Sequence, residues 1–237
     1  MSESRSVDIR IGAFQKFSLV DYPNKTCAII FTLGCNFRCP FCHNRELVLP
    51  TLFPEEILFE SIEDFLKSRV GLLDAVEFTG GEPLIYKDLV KIVKRIKDMG
   101  FLVKLDTNGS FPDRLKEILP FVDYIAMDIK APLERYSEAI GVNVLGNIIR
   151  ESVQIIKNSG KDYEFRTTVF KNYFKTLDDF VKIGEIINRA KAYYIQQPHF
   201  DKVLDPTYPF ETFTNAELNE IKKLMQNFAE KVEVRNI

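Results

Sequence analysis

The sequence predicts an α/β protein with a mostly parallel sheet. Two observations carry this. Short apolar, β-branched runs alternate with stretches whose apolar residues recur at helical spacing, the signature of βαβ units with right-handed crossovers. Polar and glycine-rich clusters then follow the strands at the same end, where active sites of parallel α/β folds gather. An open doubly wound sheet and a full or partial barrel both satisfy the alternation.

The first strand is read at Thr26–Leu33 (TCAIIFTL), an apolar run too short for a helix. Pro54–Lys67 reads as a helix, with Pro54 at the first helical position and Glu55 and Glu56 at the positive end of the dipole. Asp74–Phe78 is a short strand. Tyr86–Met99 is a helix with Leu89, Val90, Ile92, Val93 and Ile96 at helical spacing, stopped by Gly100. Strands follow at Phe101–Leu105, Tyr124–Met127, Tyr163–Val169 and Tyr193–Gln196. The helices between and after them are Pro112–Leu119, Pro132–Ile140, Leu145–Asn158, Leu177–Ala190 and Ala216–Lys231. Thr214 and Glu217 form a capping box before the last helix. Val232–Arg235 is a possible last short strand.

The chain has 237 residues, enough for a sizeable core, and no linker rich in Pro, Gly or Ser, so a single domain over 1–237 is expected. With 32 Lys+Arg against 34 Asp+Glu the charge is balanced, which gives no reason to expect nucleic acid or an anionic membrane as partner. The Lys91–Lys97 run alternates with apolar residues and reads as a solvated helix face. No apolar stretch is long enough to span a bilayer, and Met1–Arg10 lacks the apolar core of a secretory signal, so a cytoplasmic location is expected.

The chain has four cysteines, and three of them, Cys35, Cys39 and Cys42, form a Cys-x3-Cys-x2-Cys cluster directly after the first strand. Without a secretion signal such a cluster points to metal or redox chemistry rather than disulfides. Thiolates suit zinc or iron–sulfur centres. Structural zinc normally closes with four ligands, and His43 is awkwardly adjacent to Cys42. A four-iron cluster held by three cysteines keeps one iron open for a substrate. A zinc module or a plain electron carrier is the competing reading. Cys27, in mid-strand, reads as a small buried hydrophobe.

Other polar clusters follow the later strands: Thr79-Gly80-Gly81-Glu82-Pro83, Asp106-Thr107-Asn108-Gly109, Asp128-Ile129-Lys130 and Gln196-Gln197-Pro198-His199. Gly80 and Gly81 allow close backbone approach to a ligand, or an ordinary tight turn. Asn108-Gly109 is also a common turn former. Asp128 and Lys130, two apart at a strand end, can face one side.

The Cys-x3-Cys-x-Phe41-Cys stretch resembles the signature of the radical S-adenosylmethionine superfamily, and Gly80-Gly81-Glu82-Pro83 resembles its second motif. The resemblance implies a partial (β/α)6 barrel of parallel strands with outer helices. It implies a [4Fe-4S] cluster on Cys35, Cys39 and Cys42 whose open iron binds S-adenosylmethionine. Reductive cleavage then gives a 5′-deoxyadenosyl radical. Phe41, Thr79, Gly80, Gly81, Glu82, Asp106, Asn108, Asp128, Lys130 and His199 become candidate cofactor contacts, with Lys130 paired to the cofactor's carboxylate.

Cys39–Asn44 (CPFCHN), the Asp106–Gly109 loop and Asp128-Ile129-Lys130 further resemble the glycyl-radical-enzyme activases. These imply a large partner enzyme that receives a glycyl radical, and a flavodoxin or ferredoxin-type electron donor. The stretch Phe17–Lys25 with Cys27–Phe31 is similar to a subgroup of activating proteins for anaerobic ribonucleoside-triphosphate reductase. It departs from the Asp-Gly-Pro-Gly…Arg pattern of pyruvate formate-lyase activating enzymes, which stand as the alternative. So does a radical enzyme acting on a small molecule, such as a 7-carboxy-7-deazaguanine synthase. One spare cysteine is too few for the extra clusters of larger activases.

Overall fold

Strands and helices alternate through residues 8–144, 146–197 and 202–236, which a computed structural model describes. In chain order they are β1 (Ile11–Ser18), β2 (Cys27–Thr32), α1 (Arg45–Val48), α2 (Phe59–Lys67), β3 (Ala75–Gly80), α3 (Leu89–Asp98), β4 (Leu102–Thr107), α4 (Pro112–Ile118) and β5 (Tyr124–Asp128). Then come α5 (Tyr136–Ile140), α6 (Gly146–Lys157), β6 (Asp162–Thr168), α7 (Leu177–Ile187), β7 (Ala190–Gln197), α8 (Asn215–Met225) and β8 (Ala229–Asn236). These fall into two compact units. The first holds residues up to Asn36, Glu46–Asp106 and Asp113–Tyr124; the second holds Phe37–Arg45, Thr107–Pro112 and the chain from Ile125 onward.

In the first unit the strands lie in the order β1-β2-β3-β4. β2, β3 and β4 are parallel, in the register Ile29↔Glu77 and Glu77↔Lys104. β1 is antiparallel to β2 and was not anticipated. Its period-two pattern is broken by register irregularities between Ile11 and Ala13 and between Gln15 and Ser18. α2 begins at Phe59, not Pro54. The Ile57 N–H donates to the Ile11 carbonyl at 2.9 Å, and Leu58 is extended, so 54–58 runs alongside β1. α3 buries Leu89, Ile92, Val93 and Ile96. Each such side chain contributes about 1.5–3 kcal/mol relative to exposure. Gly100, at φ 92, turns the chain into β4, as its sequence position suggests. Cys27 is fully buried beside Tyr22, Ile29 and Ala75.

In the second unit the order is β5-β6-β7-β8. β6, β7 and β8 are parallel, through Phe165↔Tyr193 and Tyr193↔Val232. The expected helix over Pro132–Ile140 is a 3-10 turn at Leu133–Arg135 followed by α5. α7 stops at Ile187, because Arg189 takes a left-handed φ of 58 before β7. The predicted last helix ends six residues early, at Met225: Asn227 and Phe228 bond back to Leu224 and Met225, and Ala229 pairs with Ala190 to start β8. The Thr214–Glu217 capping box is formed as the sequence indicates.

Candidate active site

The first unit carries Cys35, Thr79, Gly80, Gly81, Glu82 and Asp106 among the candidate residues. β3 delivers Thr79 and Gly80 beside Phe31 and Thr32 of β2. The glycine pair then clasps the segment that leads into Cys35. Gly81 N–H donates to the Thr32 carbonyl at 2.8 Å, and Glu82 N–H to the Gly34 carbonyl at 2.9 Å. A Cβ on Gly81 would lie 1.8 Å from the Gly34 carbonyl oxygen. Gly80, at φ 106, has Thr32 N within 2.6 Å of where its own Cβ would stand. Only glycine permits this backbone-to-backbone approach. The Tyr86 hydroxyl donates to the Leu33 carbonyl at 2.6 Å and holds the same segment from its other side. Glu82 is buried, and its Oε1 accepts from the Leu84 N–H at 3.0 Å, capping the turn that follows.

Behind Thr79 lies a buried charge cluster. The Lys104 ammonium is 2.7 Å from Glu77 Oε1 and 2.8 Å from Asp106 Oδ1. Thr79 Oγ1 donates to Asp106 Oδ2 at 3.5 Å. Strand alternation and the Glu77↔Lys104 register bring these groups to one face. Two acids share one base, so burial and the Asp106 charge push Glu77 up to about 8, against the pull of Lys104. The sequence held a signal for this cluster: Glu77 and Lys104 are charged residues inside otherwise apolar strands.

The second unit carries Cys39, Phe41, Cys42, Asn108, Asp128 and Lys130. Cys42 N–H donates to the Cys39 carbonyl at 3.1 Å, so these two cysteines sit on one tight turn. Arg38 N–H is fixed to the Ile140 carbonyl at 2.7 Å, and the Phe37 ring packs edge-on against Tyr136. Lys130 meets Phe41, its ammonium 5.8 Å from the ring centre. Asn108 Oδ1 accepts from the Ser110 N–H and hydroxyl, so its side chain shapes the turn. His199 lies outside the described residues.

Asp128 is the centre of a ladder that the sequence reading missed. Its Oδ2 is 2.8 Å from the Lys130 ammonium, and its Oδ1 accepts from Arg166 Nε at 2.9 Å. Arg166 also faces Glu164 at 4.0 Å, and Arg235 forks onto both Glu164 oxygens at 2.8 and 3.1 Å. Alternating charges at 164 and 166 of one strand were the available signal. Burial alone would raise the Asp128 carboxyl, but Arg166 and Lys130 more than offset it and hold it down at about 2. Burial tends to lower the Lys130 ammonium, and the Asp128 charge raises it well above its usual value. A carboxylate that titrates at about 2 when folded, against a usual 3.8, stabilises the fold above the usual value and loses that contribution as pH falls toward 2. The contribution is about 2.5 kcal/mol. Asp128→Asn lacks it. Urea unfolding of the metal-free chain should therefore show wild-type stability falling more steeply than that of the variant as pH drops through this window.

All four cysteines are thiols outside any disulfide. Cys39 is 7 % exposed, while Cys35 and Cys42 are half-buried. Among the described residues no three His, Cys, Asp or Glu side chains are gathered tightly enough for a single metal ion. A four-iron cluster takes one thiolate per iron and needs no such point. Three thiol side chains within eight residues of sequence suit that group.

Residues 29–196 match the family model described as the Radical SAM superfamily. The chain belongs to that superfamily. Its cofactors are those of the family, a [4Fe-4S] cluster and S-adenosylmethionine. This radical SAM enzyme is 32% identical over 238 residues, 96% of each chain, to a protein of Methanocaldococcus jannaschii named as a glycyl-radical enzyme activating enzyme. Two solved structures show the shared fold. A radical SAM methyltransferase from Sphaerobacter thermophilus aligns at a TM-score of 0.68 and 17% identity, covering 93% of this chain and 68% of the other. A domain of pyruvate-formate lyase-activating enzyme from Bacteroides vulgatus aligns at 0.56 and 16% identity, covering 68% and 99%. The mostly parallel α/β arrangement expected of the superfamily's partial barrel is thus present, with β1 as an antiparallel addition. Among the described residues no helix is long and apolar enough to cross a membrane.

Proposed function

We propose that this radical SAM enzyme installs a glycyl radical on a partner enzyme, and that the partner is an anaerobic ribonucleoside-triphosphate reductase. The observation that carries the activase reading is the 32% identity to an activating enzyme across 96% of both chains. The reductase is favoured over pyruvate formate-lyase by the Phe17–Lys25 stretch, which lacks the formate-lyase type's glycine pattern.

In this reading Cys35, Cys39 and Cys42 hold the cluster. When bound, the cluster and S-adenosylmethionine together supply reductive cleavage to a 5′-deoxyadenosyl radical. The chain's own residues bind and orient. Gly80 and Gly81, packed on the Thr32 and Gly34 backbone, hold the loop that would meet the cofactor. Thr79, Glu82, Asp106, Asn108 and Asp128 offer polar groups to it, and Phe41 an aromatic face. Lys130, held cationic by Asp128, offers the positive charge a carboxylate needs. His199 keeps its proposed contact on the resemblance alone. A flavodoxin or ferredoxin-type protein would deliver the electron, in an anaerobic cytoplasm.

The test is to incubate the reconstituted enzyme with a reductant, S-adenosylmethionine and the anaerobic reductase, then record electron paramagnetic resonance. A glycyl radical signal on the reductase is the expected result. Cofactor cleavage without that signal, on reductase or formate-lyase, would sink the activase reading and favour a small-molecule substrate.

A further inference from the structure

We infer that residues 202–213, which lead into α8, form a strap that covers the Cys39 side of the cysteine turn against solvent and oxidants. The strap reaches the cysteine turn by two independent routes. Through the backbone, Asp205 N–H donates to the Pro40 carbonyl at 3.0 Å, between Cys39 and Phe41. Through side chains, Phe41 packs on Phe170 at 5.3 Å, and Phe170 in turn meets Tyr208 at 5.6 Å and Phe210 at 5.1 Å. Tyr208 and Phe210 also meet each other at 4.7 Å. Phe41 is 4 % and Phe170 1 % exposed, so the stack is dry.

The strap is held along its length. Val203 is buried near its start, and the Asp205 carboxylate caps its own turn, accepting from the Thr207 N–H and hydroxyl. At the far end, Gln197 and Phe213 exchange hydrogen bonds of 3.0 and 2.7 Å, and Lys171 N–H donates to the Glu211 carbonyl at 2.8 Å. The two rings are the softer part, only half-buried at the surface. The low-energy opening is therefore ring release, which uncovers Phe170, still packed on Tyr173 at 5.8 Å and Phe174 at 6.1 Å, and loosens the Phe41 edge of the turn. The hydrophobic wall around a metal site governs water access and hence its lability. The inference rests on the reading of Cys39 and Cys42 as cluster ligands only for its consequence, not for the shielding itself.

The shielding is tested first on the metal-free full chain. Native protein is treated with iodoacetamide, and alkylation at each cysteine is followed by peptide mass mapping. Truncating both rings (Tyr208→Ala with Phe210→Ala) should raise the rate at Cys39 roughly tenfold, the effect of losing two aromatic contacts from a local closing equilibrium, with the half-buried Cys35 and Cys42 less changed. Tyr208→Phe, which keeps the ring, should react like wild type. If the double variant does not fold, as judged by circular dichroism, Tyr208→Ala alone carries the same comparison. A folded truncation variant that alkylates at Cys39 no faster than wild type overturns the strap. In a second arm the reconstituted proteins are exposed to air. The brown absorbance of the truncation variant should bleach several-fold faster than that of wild type, and equal bleaching overturns the protective role. A wild type that takes up no cluster would instead defeat the ligand reading, while the alkylation result still decides the strap.

Discussion

Cys39→Ala protein, reconstituted anaerobically beside wild type, is expected to stay colourless and to release no 5′-deoxyadenosine from S-adenosylmethionine. Three thiols cluster after β2, so the loss of one leaves two, and no neighbouring side chain offers an equally soft donor. Cys39 is the most telling of the three to remove. It is 7 % exposed, it accepts the hydrogen bond that sets the Cys42 turn through its backbone carbonyl, and alanine preserves that carbonyl. The turn therefore survives while its donor atom is lost, and the defect is chemical rather than structural. Iron and sulfide content with the circular dichroism spectrum separates the two. A variant with a full complement of iron, or one that still cleaves the cofactor, would remove the cluster assignment.

Lys104→Met should strongly destabilise the first unit. The ammonium stands within 2.8 Å of both Glu77 and Asp106, with side chains 4, 3 and 12 % exposed. Removing one partner from a buried charge group leaves the others uncompensated, at a cost of about 3–5 kcal/mol. For a chain of this length that lowers the thermal midpoint by roughly 6–20 °C. The deficit has a predictable pH dependence. Glu77 is already raised to about 8 by burial and Asp106, and without Lys104 it is pushed further up. Above pH 8 wild-type Glu77 ionises beside Lys104 while that of the variant stays protonated, so the gap to wild type should widen as pH rises from about 8 toward 10 and stay level below 8. Calorimetry of the two proteins from about pH 6 to 10 checks it; a Lys104→Met protein that melts with wild type throughout would show that Lys104 does not compensate the buried carboxyls.

How far the sequence spoke depended on what kind of interaction made each feature. The buried strands β2 to β5 were legible because their apolar runs are local, and Gly100 and the Thr214–Glu217 box marked helix ends for reasons contained within a few residues. The cysteine spacing and the Gly80-Gly81 pair were legible for the same reason. The start of α2 was not, because a distant carbonyl, that of Ile11, captures the Ile57 N–H. The Glu77–Lys104 pair needs the inter-strand register, and the Asp128–Arg166–Glu164–Arg235 ladder needs the register of β6 to β8. Sequence reading also could not weigh Glu82 and Asn108 between ligand and turn; in the fold both side chains already support their own turns.

A terminal strand such as β1 leaves a row of backbone donors and acceptors open to any other sheet edge, which is how folded proteins polymerise. Here the row is interrupted. The register slips at Ile11/Ala13 and Gln15/Ser18 kink the strand, the Ile57 N–H already occupies the Ile11 carbonyl, and Lys16 places an exposed charge in the middle. Among the described residues these features break up the edge that a second copy would extend. The irregularity that hid β1 from sequence reading therefore also works against edge-to-edge pairing.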